Sequence, residues 1–419
     1  MELAQSIGRY THLEGAVRAV TRARTVSPGE IGPDDIRAWG ALEAQALHPN
    51  AYMSPHFVLP ALRHLDRSVK ARILLIERVD AGTVQAIAVA VTRRVAASRL
   101  LPVPHHSIYL SPHSYLGAPL VHREFAAEAA NALFDGLSRH RWSAAGLVVS
   151  NIDPAGPLLA GLREAWRSHA LTVHTALQRQ RAILIPAQAG PDSLRKTMQK
   201  KHNDLERRRR RLAEQGELQW LIHREGMNDE IVESFLRLEH SGWKAESQTS
   251  LRSRAADEAF FREMVAGFAS EGRALFTELR LNGQTIASTS NFVSGQAGFA
   301  FKVGWDEAYR KYSVGVLNEA ELVHHAPKAC ADLTDIDSGS APDSFIEMLW
   351  PNRRTLVTAF LPFSLAGELA WRATHSMRSL RHSLLAVVKP SHRAAGAAAA
   401  GDSPNQVDHP SRSNSTLKH

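Results

Sequence analysis

Three strand-like runs, Ala274–Leu281, Gln284–Val293 and Ala297–Gly304, follow one another with only short turns at Asn282-Gly283 and Ser294-Gly295. Turns this tight need backbone with positive φ, which asparagine and glycine reach at least cost, and they join neighbouring antiparallel strands. This stretch is therefore committed to an antiparallel meander. A loop, Trp305–Ser313, then leads to helical spacing around Gly315–His325, and Leu333–Ile336 reads as a short further strand. A helix that opens Ser313-Val314-Gly315-Val316-Leu317 presents unpaired backbone N–H groups and the positive end of its dipole, so it can hold a phosphate or pyrophosphate. Small residues at Ser313 and Gly315 would let the anion approach the backbone. The plainer alternative is that Ser313 only caps the helix and Gly315 only makes room for packing.

Upstream, strands and helices alternate. Ile36–Ala46 has helical spacing, Ala71–Glu77 and Val84–Thr92 suggest a hairpin, Phe125–His140 and Gly156–Ala170 read as helices, and Ala145–Val149 and Ala182–Ile185 as strands. The chain, at 419 residues, is too long for one ordinary core. We expect a lead-in at 1–30 and a first domain at 31–190. A second domain at 191–372 would open on one basic helix, 193–216, and a disordered tail would fill 373–419. The basic helix carries Arg195, Lys196, Lys200, Lys201 and the five consecutive arginines Arg207–Arg211, which point all round its axis.

The formal net charge of +8 would steer anionic partners without selecting one. Cys330 is the only cysteine, which excludes an intrachain disulfide and a multi-cysteine zinc site. His324-His325 with Glu321 supplies too few ligands, and no metal is expected. No GxGxxG, phosphate-loop, Gly-x-Ser-x-Gly or HExxH motif is present. Met1–Arg24 lacks the apolar run of a signal peptide. Leu356–Gly367, the most apolar stretch, is far short of the roughly 20 residues of a membrane helix. A cytoplasmic protein with no transmembrane segment is the expectation.

The run Ser193–Trp350 resembles the CelD-like acetyltransferases, named for cellulose biosynthesis, within the GNAT superfamily. The resemblance rests on the basic helix, Phe235-Leu236 with Ser241-Gly242-Trp243-Lys244, Phe260-Phe261, and Ile286-Ala287. It continues through Lys302-Val303-Gly304-Trp305-Asp306 with Tyr309, Lys311-Tyr312-Ser313-Val314-Gly315, Asp337-Ser338, Ser344–Trp350 and Arg353-Arg354. Upstream, His113–Leu120 is similar to the N-terminal portion of the same proteins. The resemblance implies an α/β mixed-sheet fold: two tandem GNAT-like domains joined by the basic helix, as in the peptidoglycan-bridge aminoacyltransferases. It implies an acyltransferase that uses acetyl-CoA or another acyl-CoA. The acceptor would be an amine or hydroxyl on a small molecule or glycan precursor, in exopolysaccharide or cell-envelope metabolism. In that fold two strands splay apart around the donor's pantetheine arm. Here Ala297–Gly304 would be the splayed strand, and Ser313, Val314, Gly315, Val316 and Leu317 the pyrophosphate cradle. The chain departs from the commonest GNAT pattern at that point, a basic or glutamine residue ahead of two small residues.

Acyl transfer needs a base for the nucleophile and a proton for the departing thiolate. Glu278, on the strand face opposite Leu275, Leu279 and Leu281, and Asp337, after the short strand, are the candidate bases. Tyr309 and Tyr312 are the candidate acids. Trp243, Lys244, Lys302 and Asp306 are assigned to acceptor recognition. The plainer roles are surface charges and caps for the carboxylates, packed rings for the tyrosines and snorkelling stems for the lysines. The arginine run reads first as a solvated face between domains. Contact with tRNA, which would go with an aminoacyl-tRNA-dependent transferase, and peripheral contact with an anionic membrane stay open. The lack of interleaved aromatics before Trp220 disfavours nucleic acid. A non-catalytic scaffold binding a nucleotide or partner protein is the remaining alternative.

Overall fold

The computed structural model describes residues 19–388 apart from His140, and it leaves out the side chains of Trp243 and of residues 379–388. The first half of the chain runs β1 (Val20–Val26), α1 (Pro33–Ala44), α2 (Pro55–His64), β2 (Arg72–Asp80), β3 (Thr83–Val95) and β4 (His105–Ile108). It continues with the short β5 (Leu120–Val121), α3 (Ala126–Ser138), β6 (Gly146–Ile152), α4 (Pro157–Ser168) and β7 (His174–Leu184). The second half runs α5 (Pro191–Met198), α6 (Lys200–Ala213), β8 (Leu218–His223), α7 (Asp229–Glu239), α8 (Trp243–Glu246), α9 (Ala255–Ala269) and β9 (Ala274–Leu281). After these come β10 (Gln284–Ser294), β11 (Ala297–Trp305), α10 (Val314–Ala329), β12 (Asp335–Asp337), β13 (Asn352–Pro362) and α11 (Leu365–Val388).

All strands belong to one sheet, ordered β1-β2-β3-β4-β6-β13-β7-β12-β11-β10-β9-β8, with β5 beside β3. Read inward from each edge, the order repeats. Five strands of the first half meet β13 and then β7, and five strands of the second half meet β7 and then β13. Each half has therefore placed its last strand inside the other. β13 pairs antiparallel with β7 from Asn352↔Ile183 to Phe360↔His174 and with β6 from Val357↔Ile152 to Pro362↔Gly146. The core is shared as well. Phe57 on α2 meets Phe260 on α9 edge to face at 5.3 Å, in a cluster that takes in Phe235, Phe261, Phe276 and Phe301. On the opposite face of the second half, α10 packs with Leu194, Leu205 and Leu212 of α5 and α6 over Leu275, Leu279 and Ile286.

The meander forms as its turn residues require, with Asn282 at φ 50° and Gly283 at φ 77°. Other elements depart from expectation. The lead-in contains β1, which pairs with β2 from Val20↔Val79 to Val26↔Ile73. The expected single basic helix is two helices, broken at Gln199, whose φ of 51° no regular helix allows. The expected tail is helical as far as Val388; the rest of it lies outside the described residues. Finally, the chain through Arg372 forms one compact unit, so the change in sequence near 190 separates two halves of one sheet.

Candidate functional site

Parallel β11 and β12 pair for three residues, Ala297↔Asp335 to Phe299↔Asp337, and then part. Just beyond, β10 pairs Asn291 with Ala300 and Ser290 with Lys302, so Phe301 is an extra residue that bulges β11. The parting strands leave a cavity of about 240 Å³, with Thr289 and Glu319 on the α10 side and Lys244 and Lys302 on the side of α7–α9. Ser338, Gly339 and Ser340 form the facing edge, and Tyr115 reaches in from the first half.

On the α10 side, Glu319 is fully buried. Its Oε1 accepts a hydrogen bond from Thr289 Oγ1 at 2.5 Å, and its Oε2 has no partner among the described residues. Burial without a counter-charge pushes its pKa up to about 7, against the hydrogen bond from Thr289. Asn318 holds the threonine in place, donating to Thr289 Oγ1 at 3.0 Å and Thr277 Oγ1 at 2.9 Å and accepting from Trp220 Nε1 at 3.1 Å. On the other side, Lys244 Nζ donates to Val303 O at 2.7 Å and Glu239 Oε1 at 3.3 Å. Lys302 makes no side-chain hydrogen bond among the described residues; burial lowers its pKa, and Glu239 opposes that shift. His113, from the first half, bonds Asp257 at 2.8 Å and stacks on Phe260.

At the start of α10, the N–H groups of Val314, Gly315 and Val316 find no acceptor among the described residues. Arg208 of α6 lies over this end, donating to Ser313 Oγ at 2.8 Å and Lys311 O at 3.3 Å. Gly315 serves packing, as in the plainer reading, because a Cβ there would lie 3.1 Å from the Trp305 ring. Val314 and Leu317 are buried, while Ser313 and Val316 are partly exposed.

The structure brings Lys244 and Lys302 to the cavity and leaves the other expected residues away from it. Glu278 is buried on β9 among His223, Arg280 and Thr285. Burial alone would raise its pKa, but hydrogen bonds from His223 and Arg280 hold it below the usual carboxylate range. Asp337 pairs with Arg181 at 3.2 Å and Arg354 at 3.5 Å and accepts from Gly339 N–H at 2.8 Å. Tyr312 is buried with its hydroxyl bonded by Gln215, Tyr309 packs its ring against the same apolar cluster, and Asp306 caps the next turn through Ala308 N–H. Trp243 opens α8, and its side chain lies outside the described residues. Sequence reasoning passed over Glu319, although it interrupts the apolar stripe of Gly315, Leu322, Val323 and Ala326 on the buried face of α10.

The corresponding gap in the first half is filled by the chain itself. Gly117 N–H donates to Ser150 O at 2.9 Å, and Asn151 Nδ2 to Tyr115 O at 3.0 Å. A Cβ at Gly117 would lie 2.7 Å from Ser150 O, so only glycine lets the segment lie this close to β6. Among the described residues, no group of three or more His, Cys, Asp or Glu is placed to hold a metal ion. No helix among them is long and apolar enough to cross a membrane.

Residues 199–345 match the family model described as an acetyltransferase (GNAT) domain. Among solved structures, FemX is similar with a TM-score of 0.51 at 10% identity, over 83% of this chain and 100% of that one. The C-terminal domain of a putative lysylphosphatidylglycerol synthetase from Agrobacterium fabrum is similar with a TM-score of 0.50 at 13% identity, over 81% and 95%. Identities this low show the fold alone. No curated protein matches the chain. The fold is thus two tandem GNAT-like units in one mixed sheet, and the second is a GNAT acyltransferase-like domain.

Proposed function

We propose that the cleft between β11 and β12 transfers an acyl group from acyl-CoA, with acetyl-CoA as the simplest donor, to an amine or hydroxyl acceptor. The observation that carries this reading is the cavity left where two parallel strands stop pairing, lined by Glu319 from the α10 side and by Lys244 and Lys302 from the α7–α9 side. The helix that follows β11 fits a pyrophosphate: the amides of Val314–Val316 are unpaired, and the Arg208 guanidinium lies beside Ser313. When bound, the coenzyme supplies an activated thioester. The acceptor would approach from the opposite face, past Lys244, Lys302 and Tyr115. In this reading the first half acts as a wall, since its own gap is filled, and the halves divide near 190.

The CelD-like resemblance extends the proposal to exopolysaccharide or envelope precursors as acceptors and to a cytoplasmic setting, where acyl-CoA is available. A second reading, aminoacyl transfer from tRNA, is favoured by the exposed Arg207, Arg210 and Arg211 on α6.

Arg208 is the position to vary, because a side chain at 315 would strike Trp305 rather than the ligand. Calorimetric titration of acetyl-CoA is expected to show binding to the wild type and at least ~10-fold weaker binding to Arg208→Glu. Equal affinity in both proteins removes the cradle from the donor site. No binding to the wild type rejects acyl-CoA as the donor and moves the reading to tRNA.

A further inference from the structure

We propose that Glu319 is the proton-transferring carboxyl of this cleft, taking the acceptor's proton as the new bond forms and returning it to the departing thiolate. The inference rests on the acyl-CoA reading above and deepens it.

The geometry singles this group out. Glu319 is the only carboxylate side chain among the residues that line the cavity, and one of its oxygens is unpartnered. The other oxygen is fixed by Thr289, which Asn318 fixes in turn, so the free oxygen has a defined position. A buried glutamate with one satisfied oxygen and no cation costs stability, and a core requires nothing of the kind at this point. A leucine or methionine would serve packing better beside Leu322 and Val323. The rival carboxylates are committed elsewhere, Glu278 to His223 and Arg280, and Asp337 to Arg181 and Arg354.

The charged groups around Glu319 leave it free to titrate. On the α7–α9 side the cavity presents Lys302, and Lys244 held by Glu239. Beyond β10, the β8–β9 pair presents His223 and Glu278 bonded to each other. The segment after β12 presents Ser338, Ser340 and Ser344, and Glu347 beyond them is paired with Arg353. The raised pKa, about 7, makes the carboxyl an effective base and acid near neutrality.

The step balances without a further reactant. The acceptor's nitrogen or oxygen attacks the thioester carbonyl carbon while its N–H or O–H proton passes to Glu319 Oε2. The C–S bond breaks with its electron pair on sulfur, and the carboxyl returns the proton to the thiolate. The products are an amide or ester and a free thiol.

The test needs no knowledge of the natural acceptor. Thiol release from acetyl-CoA is followed across pH, with water and with hydroxylamine as small nucleophiles, for wild type, Glu319→Gln and Thr289→Val. Calorimetry of acetyl-CoA binding runs alongside. For the wild type we expect protein-dependent release that rises with pH through a midpoint near 7, since the ionised carboxylate is the base. Glu319→Gln should bind acetyl-CoA within about twofold of wild type and lose at least ~100-fold in rate. Thr289→Val removes the hydrogen bond that favours the ionised form, so its midpoint should move upward by up to about one pH unit with the same nucleophile. That shift tests the proposal even if the glutamine variant does not fold. Glu319→Gln with the wild-type rate, or Thr289→Val with an unmoved midpoint, overturns it. So does a wild type that binds acetyl-CoA yet releases no thiol to either nucleophile. Failure of the wild type to bind acetyl-CoA instead overturns the reading on which the proposal rests.

Discussion

A chain ended after Trp350 is expected not to fold, and neither is a chain limited to residues 1–190. The first truncation removes β13, whose 11 residues sit in the middle of the sheet between β6 and β7. It strips the hydrogen-bonding partners from one edge of each neighbour, and inner strands carry no protection against such exposure. It also removes Leu356, Val357, Phe360 and Leu361, all buried. At about 1.5–3 kcal/mol for each fully buried side chain, their loss alone approaches the whole stability of an ordinary domain, about 5–15 kcal/mol. The second truncation leaves β7 without either of its neighbours, β13 and β12. A chain ended after Val388 keeps every described element and serves as the control. Soluble yield and the cooperativity of thermal melting by circular dichroism would compare the three. A cooperative melt from either truncated chain would mean that the halves do not depend on exchanged strands.

That exchange marks the boundary of what the sequence makes legible. The meander could be read because turn chemistry is local: Asn282 and Gly283 declare their positive φ without reference to anything distant. The choice of strand partner is not local. Thr355–Leu361 looks like a strand in the sequence, but nothing near it names β6 and β7 as its neighbours. β7 shows only its apolar end, Ala182–Leu184, because Gln178 and Gln180 are exposed earlier along it. The break at Gln199 carries no glycine or proline signal. The same limit governs the site. Lys302 could be singled out as a cation on a strand rich in Phe and Ala, and Lys244 through the resemblance of Ser241–Lys244, and both reach the cavity. Glu278 and Asp337 looked like free carboxylates, since a carboxylate on a strand reads the same whether or not an arginine faces it. Arg181 lies 156 residues from Asp337 in the chain. Glu319 was open to the converse argument, a charge on a helix's apolar face, but it lies a turn beyond the helix start at Ser313–Gly315 that an anion site would use.

Replacing Asp337 by alanine is expected to cost about 3–5 kcal/mol, because it leaves buried guanidinium charge without its partner. Arg181 and Asp337 are 2% and 1% exposed, so water cannot take over the solvation of the arginine. Among the described residues Arg181 would keep only Tyr115 O, at 3.1 Å through Nη2, and its Nε is already unpartnered there. Arg354 retains Asp335 at 2.7 Å, so the damage falls mainly on Arg181. Asp337→Asn should fall between wild type and alanine. It can still accept from Gly339 N–H but no longer offers a full negative charge. Pairing Asp337→Ala with Arg181→Met should recover part of the loss, since removing both partners is cheaper than stranding one. Urea denaturation of the four proteins measures each of these values. If Asp337 were a general base with no structural duty, the pattern would reverse, with alanine and asparagine variants as stable as wild type and the transfer reaction lost. An alanine variant within about 1 kcal/mol of wild type would place the Arg181 charge in water after all, and would reopen Asp337 as a group free to act in the cleft.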